Sequence, residues 1–142
     1  MSTITIPKEF GWCVLAVGAA CFTHLYGSFK VGAARKKYNI QYPQMYAEKS
    51  DAHAKEFNCA QRAHQNTLEW LSVCQVLTLV NGIVFPITAA CLMGTWTVGR
   101  IMYINGYGSG NPDKRMAGAL VSHFGDLPLV ITTFVAAHKM LA

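Results

Sequence analysis

The sequence predicts an all-α integral membrane protein, a bundle of four bilayer-crossing helices in a single domain over residues 1–142. Three observations carry this prediction. Hydrophobic residues make up 52% of the chain and charged residues only 13%, about half the usual charged share of roughly 25%. The stretch from Phe10 to Phe29, FGWCVLAVGAACFTHLYGSF, contains no charge. The basic residues gather in two of the connecting segments. The length permits one domain, and so few charges exclude intrinsic disorder and leave too little polar surface for a small soluble domain. The five cysteines, at positions 13, 21, 59, 74 and 91, form no CxxC pair and no even set, which excludes a disulfide framework. Four of them sit in apolar stretches, where Cys behaves as a small hydrophobe.

The first helix is expected over about 10–33. Its uncharged core is long enough to cross about 30 Å of hydrocarbon at 1.5 Å per residue. A cleaved leader would have a basic start, a shorter apolar region and a small-residue cleavage site, so this helix is expected to be retained. The second is expected over about 63–84, ending before Pro86. The third covers about 87–108 and closes in the glycine-rich GYGSGNP, and the fourth covers about 115–138. Lys30, Arg35, Lys36, Lys37, Lys49, Lys55 and Arg62 lie in or beside the first loop, and Lys114 and Arg115 lie in the third. The positive-inside rule then places both loops in the cytosol. The net charge of +5 reads as a topology signal, and no nucleic-acid partner is expected. Small residues recur at Gly18, Ala19, Ala20, Gly27 and Gly32, and again at Ala117, Gly118 and Ala119. They permit the close backbone approach by which membrane helices associate.

Ionisable groups inside membrane helices are costly and point to function. Arg62, Asn66 and Glu69 are spaced i, i+4, i+7 and share one helical face. Arg100, Tyr103 and Tyr107, at i, i+3, i+7, share another. Arg35 ends the first helix and Arg115 begins the fourth. All fall at the cytosolic end, which implies a pocket lined by arginines, phenols, one amide and one carboxylate. Guanidinium forks match carboxylates, so the ligand is expected to be small and polar with several carboxylates, and Glu69 adds an amine. His24 and Asp126 lie eleven residues from Arg35 and Arg115 respectively, at similar depth, so a His24–Asp126 pair between helices one and four is expected, with His123 one turn away.

The block FNCAQRAHQNTLE (57–69) is long and distinctive. With PKEFG, ARKKYNIQYPQMY and VGRIMYINGYGSGNPDKRMAGAL, it resembles the MAPEG superfamily of membrane proteins of eicosanoid and glutathione metabolism, and within it the type 3 microsomal glutathione S-transferase branch. The resemblance covers nearly the whole chain. It implies a homotrimer with glutathione held between neighbouring subunits by Arg35, Arg62, Asn66, Glu69, Arg100, Tyr103 and Tyr107. His64 falls where a polar residue reaches the tripeptide in related synthases, and Arg115 matches the arginine that stabilises the glutathione thiolate. After Glu69 the family commonly has an aromatic residue followed shortly by proline, whereas this chain reads Trp70, Leu71, Ser72, Val73. Asp126 and Pro128 inside the fourth helix also depart from the pattern.

The chemistry so implied is glutathione transfer with peroxidase capability, including a cysteinyl-leukotriene synthase type of reaction. The thiolate is the nucleophile, and a neighbouring arginine lowers the thiol pKa. Arg115 is the catalytic candidate; the other residues position the co-substrate, and no metal is expected. The second partner is a lipophilic electrophile or lipid hydroperoxide arriving through membrane lipids. Two alternatives stand beside this reading: a non-catalytic lipid-binding adaptor, and an accessory subunit of a larger membrane complex. The expected compartment is the endoplasmic reticulum membrane, or alternatively the mitochondrial outer membrane.

Overall fold

The computed structural model describes residues 5–142. Four long helices follow one another: α1 (Phe10–Tyr38), α2 (Ala54–Gly82), α3 (Pro86–Tyr107) and α4 (Met116–Leu141), with a 3₁₀ turn at Pro112–Arg115 leading into α4. α3 packs against every other helix, α2 also meets α1 and α4, and α1 lies across the bundle from α4. Phe22, Phe29 and Phe134 are 71%, 75% and 73% exposed, within a belt of outward Leu, Val and Ile. So much outward apolar surface suits hydrocarbon and not water. α1, α3 and α4 with its leading turn are long and apolar enough to cross a membrane. α2 is as long as α1, but the polar run Gln61–Asn66 lowers its hydropathy, and much of that run is turned against neighbouring helices.

α1 runs to Tyr38, beyond the expected end at 33, and spans about 44 Å at 1.5 Å per residue. Its last turn, with Arg35, Lys36 and Lys37, therefore stands clear of about 30 Å of hydrocarbon. Asn39, at φ 56°, ends it in the left-handed region, and the Ile40 N–H donates back to the Arg35 carbonyl at 3.1 Å. This is the Schellman closure, which satisfies an otherwise orphaned helix carbonyl. α2 begins at Ala54, not near 63, so the first loop is much shorter than expected. The reason is Phe57, which is fully buried with Ile40 and Ala47 in a small core under the loop. Asn58 closes that core by accepting from the Ala47 N–H at 2.8 Å and donating to its carbonyl at 3.0 Å.

Pro86 starts α3 at a position where its missing N–H costs nothing. The tightest interface is α3 on α4, and it depends on glycine. A Cβ on Gly118 would stand 2.5 Å from the Tyr103 Cα and 2.8 Å from the Gly99 carbonyl oxygen. One on Gly125 would stand 2.6 Å from the Leu92 carbonyl oxygen. The remaining core gathers around buried Trp96, Met93, Leu129, Leu71 and Cys74. Pro128 lies inside α4, and Asn81 of α2 braces the next turn by donating to the Leu129 carbonyl and the Thr133 hydroxyl, both at 3.0 Å.

The expected His24–Asp126 pair does not form. The His24 ring stacks on His64 of α2 with one N–H···N bond of 3.0 Å. Asp126 is buried and takes its hydrogen bond from His123, at 3.1 Å. Helix geometry sets equal depth, but α1 and α4 are not neighbours, so the two groups meet other partners.

Candidate functional site

At the basic end of the bundle, α2 and α3 turn their polar faces together. Arg62 and Glu69, two turns apart on α2, form a forked pair at 2.6 and 3.2 Å. Both side chains are about two-fifths exposed, at 40% and 44%, so the pair is open to exchange with a ligand. Asn66 stands between them and joins the two helices: its Nδ2 donates to Glu69 at 3.2 Å, and its Oδ1 accepts from Arg100 at 2.7 Å. An i, i+4, i+7 spacing makes this ladder possible, since those positions recur on one helical face.

Arg100 is buried in the bundle. Thr67 Oγ1 accepts from its Nε at 3.1 Å and from Nη2 at 2.9 Å. The guanidinium lies 4.1 Å from the Tyr103 ring centre, and Tyr103 meets Tyr107 edge-on at 5.7 Å. The series ends at Arg115, 5.3 Å from the Tyr107 ring centre and held by a bond from Nη1 to the Pro112 carbonyl at 3.1 Å. Arg62, Asn66, Glu69, Arg100, Tyr103, Tyr107 and Arg115 thus form one continuous strip. Three guanidinium groups face one carboxylate there, which leaves two positive charges in excess and favours an anion with more than one acidic group. Nη1 of Arg100 donates to none of the described residues, so one arm of the fork remains for a ligand.

Two other sequence-derived candidates lie elsewhere in the chain. His64 is turned toward α1, where its Nε2 lies within hydrogen-bond reach of His24 and of Ser28. Arg35 donates to the carbonyls of Ile40, Gln41 and Gln44 and stacks between Tyr42 and Phe57. It fastens the first loop and stands apart from the α2–α3 strip within one chain. Thr67 belongs to neither of the spaced polar sets read from the sequence. Its signal in the sequence was faint, a hydroxyl one position after Asn66, yet it fixes the orientation of Arg100. The loop also reaches the strip's edge, where the Tyr46 hydroxyl donates to Gln65.

The pattern of the MAPEG family matches residues 13–135, which reaches from α1 into α4 and includes every residue of the strip. Among curated proteins, the chain is similar to an uncharacterized protein of Synechocystis sp., 31% identical over 124 residues, covering 87% of this chain and 85% of that one.

Proposed function

The chain belongs to the MAPEG family, which includes glutathione transferases and related proteins, and we propose that it is a membrane-bound glutathione transferase with peroxidase capability. The observation that carries this reading is the strip itself: three arginines, two phenols, an amide and one carboxylate converge at the basic end of an otherwise apolar bundle. Glutathione presents the complementary groups, two carboxylates, one ammonium and a thiol. Arg62 and Arg100 take the carboxylates, Glu69 takes the ammonium, and Asn66 keeps both in register. When glutathione binds, the Arg62–Glu69 pair exchanges its mutual contact for two contacts with the ligand, so neither charge is left alone. Arg35 and His64 would join from a neighbouring copy in a trimer, since neither reaches the strip within one chain.

Arg115 acts on the sulfur. It stands at the end of the strip opposite the Arg62–Glu69 pair, and a fixed positive charge there stabilises the thiolate over the thiol. Holding the charge in place before reaction avoids reorganisation at the moment of attack. With an epoxide, the sulfur bonds to carbon, the C–O bond breaks, and the alkoxide takes a proton to become an alcohol. With a lipid hydroperoxide, the sulfur attacks the terminal oxygen and the O–O bond breaks. The alkoxide is protonated to the lipid alcohol, and the glutathione sulfenic acid condenses with a second glutathione to give the disulfide and water. The lipophilic partner reaches the strip from the bilayer, with the site on the cytosolic side of the endoplasmic reticulum or mitochondrial outer membrane.

The test is turnover by the purified protein in detergent, with a model electrophile and a fatty-acid hydroperoxide, beside Arg115→Ala and with glutathione binding followed in both. Turnover that falls at least a hundredfold in the variant while binding persists supports the reading. Binding without turnover in the unaltered protein replaces it with the adaptor or accessory-subunit reading, and absence of binding overturns it.

A further inference from the structure

The face of α3 opposite the strip carries a second feature. Between α1 and α3 a groove runs along the bundle, cut by small residues such as Ala16, Ala19 and Ala90 and walled outside by Trp12, Phe22 and Ile101. Two recesses, of ≈ 450 and ≈ 560 Å³, share Ala19 and are lined almost wholly by carbon. Toward the basic end, Tyr26 of α1 reaches across and donates to Asn105 of α3. Beyond that crossing the groove opens into a third recess of ≈ 340 Å³, where Lys30, Lys37, Asn105 and Ser109 join a lining that includes Ala33, Ala34 and Ala60.

The charge pattern there is one-sided. Lys30 and Lys37 are seven residues apart and so lie on the same face of α1. Each ammonium is drawn over a neighbouring ring, Lys30 at 5.4 Å from Tyr26 and Lys37 at 5.0 Å from Tyr38. Among the described residues neither lysine has a carboxylate partner, and no acidic residue lines the recess. The sequence joins an apolar channel, a polar crossing and two uncompensated cations in the order in which a lipid joins its tail, its glycerol region and its headgroup. A basic recess between membrane helices at the positively charged end of a bundle is the setting in which anionic headgroups are held.

We propose that the α1–α3 groove binds one anionic phospholipid, its headgroup phosphate between Lys30 and Lys37 and one acyl chain laid along α1 toward Ala19. The site is separate from the glutathione strip: Asn105 lies about 160° round α3 from both Tyr103 and Tyr107. A lipid there lies between α1 and α3 and binds their basic ends together.

The experiment is native mass spectrometry of the full chain in mild detergent, titrated with phosphatidylglycerol or with phosphatidylcholine of the same acyl chains. Two lysines near a headgroup correspond to a preference of about tenfold or more for the anionic lipid. Lys30→Gln with Lys37→Gln is expected to abolish that preference, and Lys36→Gln with Lys49→Gln, which removes two basic residues outside the recess, to preserve it. Ala19→Trp, which fills the apolar channel and leaves both lysines, is expected to lower retention of phosphatidylglycerol several-fold. Circular dichroism of each variant establishes that it is folded, and Lys30→Arg with Lys37→Arg should retain the preference. Equal retention of the two lipids overturns the proposal. So does an equal effect from the two lysine pairs, which would mean diffuse attraction to the basic end. So does an assembled oligomer that excludes lipid from the groove, which would mean that a second copy covers it.

Discussion

One methyl group added at Gly118 tests how the α3–α4 interface carries the site. The Cβ of Gly118→Ala would stand 2.5 Å from the Tyr103 Cα and 2.8 Å from the Gly99 carbonyl oxygen. These obstacles are backbone atoms, so no rotamer change relieves them, and α3 and α4 must separate by about 1 Å to restore ordinary contact. Overpacking of this kind costs about 1–3 kcal/mol. The same displacement carries Arg100 and Tyr103 on α3 away from Arg115 ahead of α4, and a misplacement of about 1 Å at a reacting centre lowers rates by about a hundredfold. Gly94 supplies the contrast: it lies inside α3 with nothing within 4 Å of a built Cβ. Gly94→Ala is expected to stabilise by about 0.5–1 kcal/mol through helix propensity alone. Equilibrium unfolding in mixed detergent micelles measures both variants, and glutathione turnover measures the displacement. A Gly118→Ala protein as stable and as active as the unaltered chain would refute the argument.

Thr67→Val leaves Nε of Arg100 without its acceptor and strips one bond from Nη2. A loss of about 1.5–3 kcal/mol, as for bonds to charged groups, is expected in the same unfolding assay, with weaker glutathione binding by calorimetry. Asn81→Leu removes the donor to the Leu129 carbonyl beside Pro128, and a destabilisation of about 1–3 kcal/mol with faster hydrogen exchange in α4 is expected. The pH dependence of conjugation reports on Arg115. A neighbouring cation favours the thiolate, so the rate of the unaltered protein should level off at lower pH than that of Arg115→Ala. In the variant the midpoint should rise toward that of an unassisted thiol, about 8.5 for a cysteine-type group.

Local spacing was the most legible part of the site. Arg62, Asn66 and Glu69, and likewise Arg100, Tyr103 and Tyr107, meet because positions three, four and seven apart share a helical face, a property of the helix that needs no tertiary information. The same periodicity places His64 about 200° round α2 from Arg62, on the face that meets His24. The start of α2 was not legible, because Lys55, Glu56 and Asn58 read as loop until Phe57 is seen to be buried beneath the first loop. Thr67 is not legible in the sequence because a single hydroxyl carries no pattern, and its role depends on which residue of α3 arrives opposite. The His24–Asp126 expectation failed for a related reason: rise per residue gives depth along a helix but not which helices touch. That α4 packs so closely on α3 is decided by Gly99, Gly118 and Gly125, whose missing side chains admit the two backbones at close range.

The central claim, that Arg115 turns bound glutathione into its thiolate, is tested most directly by the thiolate's ultraviolet absorbance when glutathione is added to the purified protein at neutral pH. The account predicts a difference spectrum near one thiolate per occupied site, abolished in Arg115→Ala although calorimetry still records binding. A thiolate signal undiminished in Arg115→Ala would contradict it.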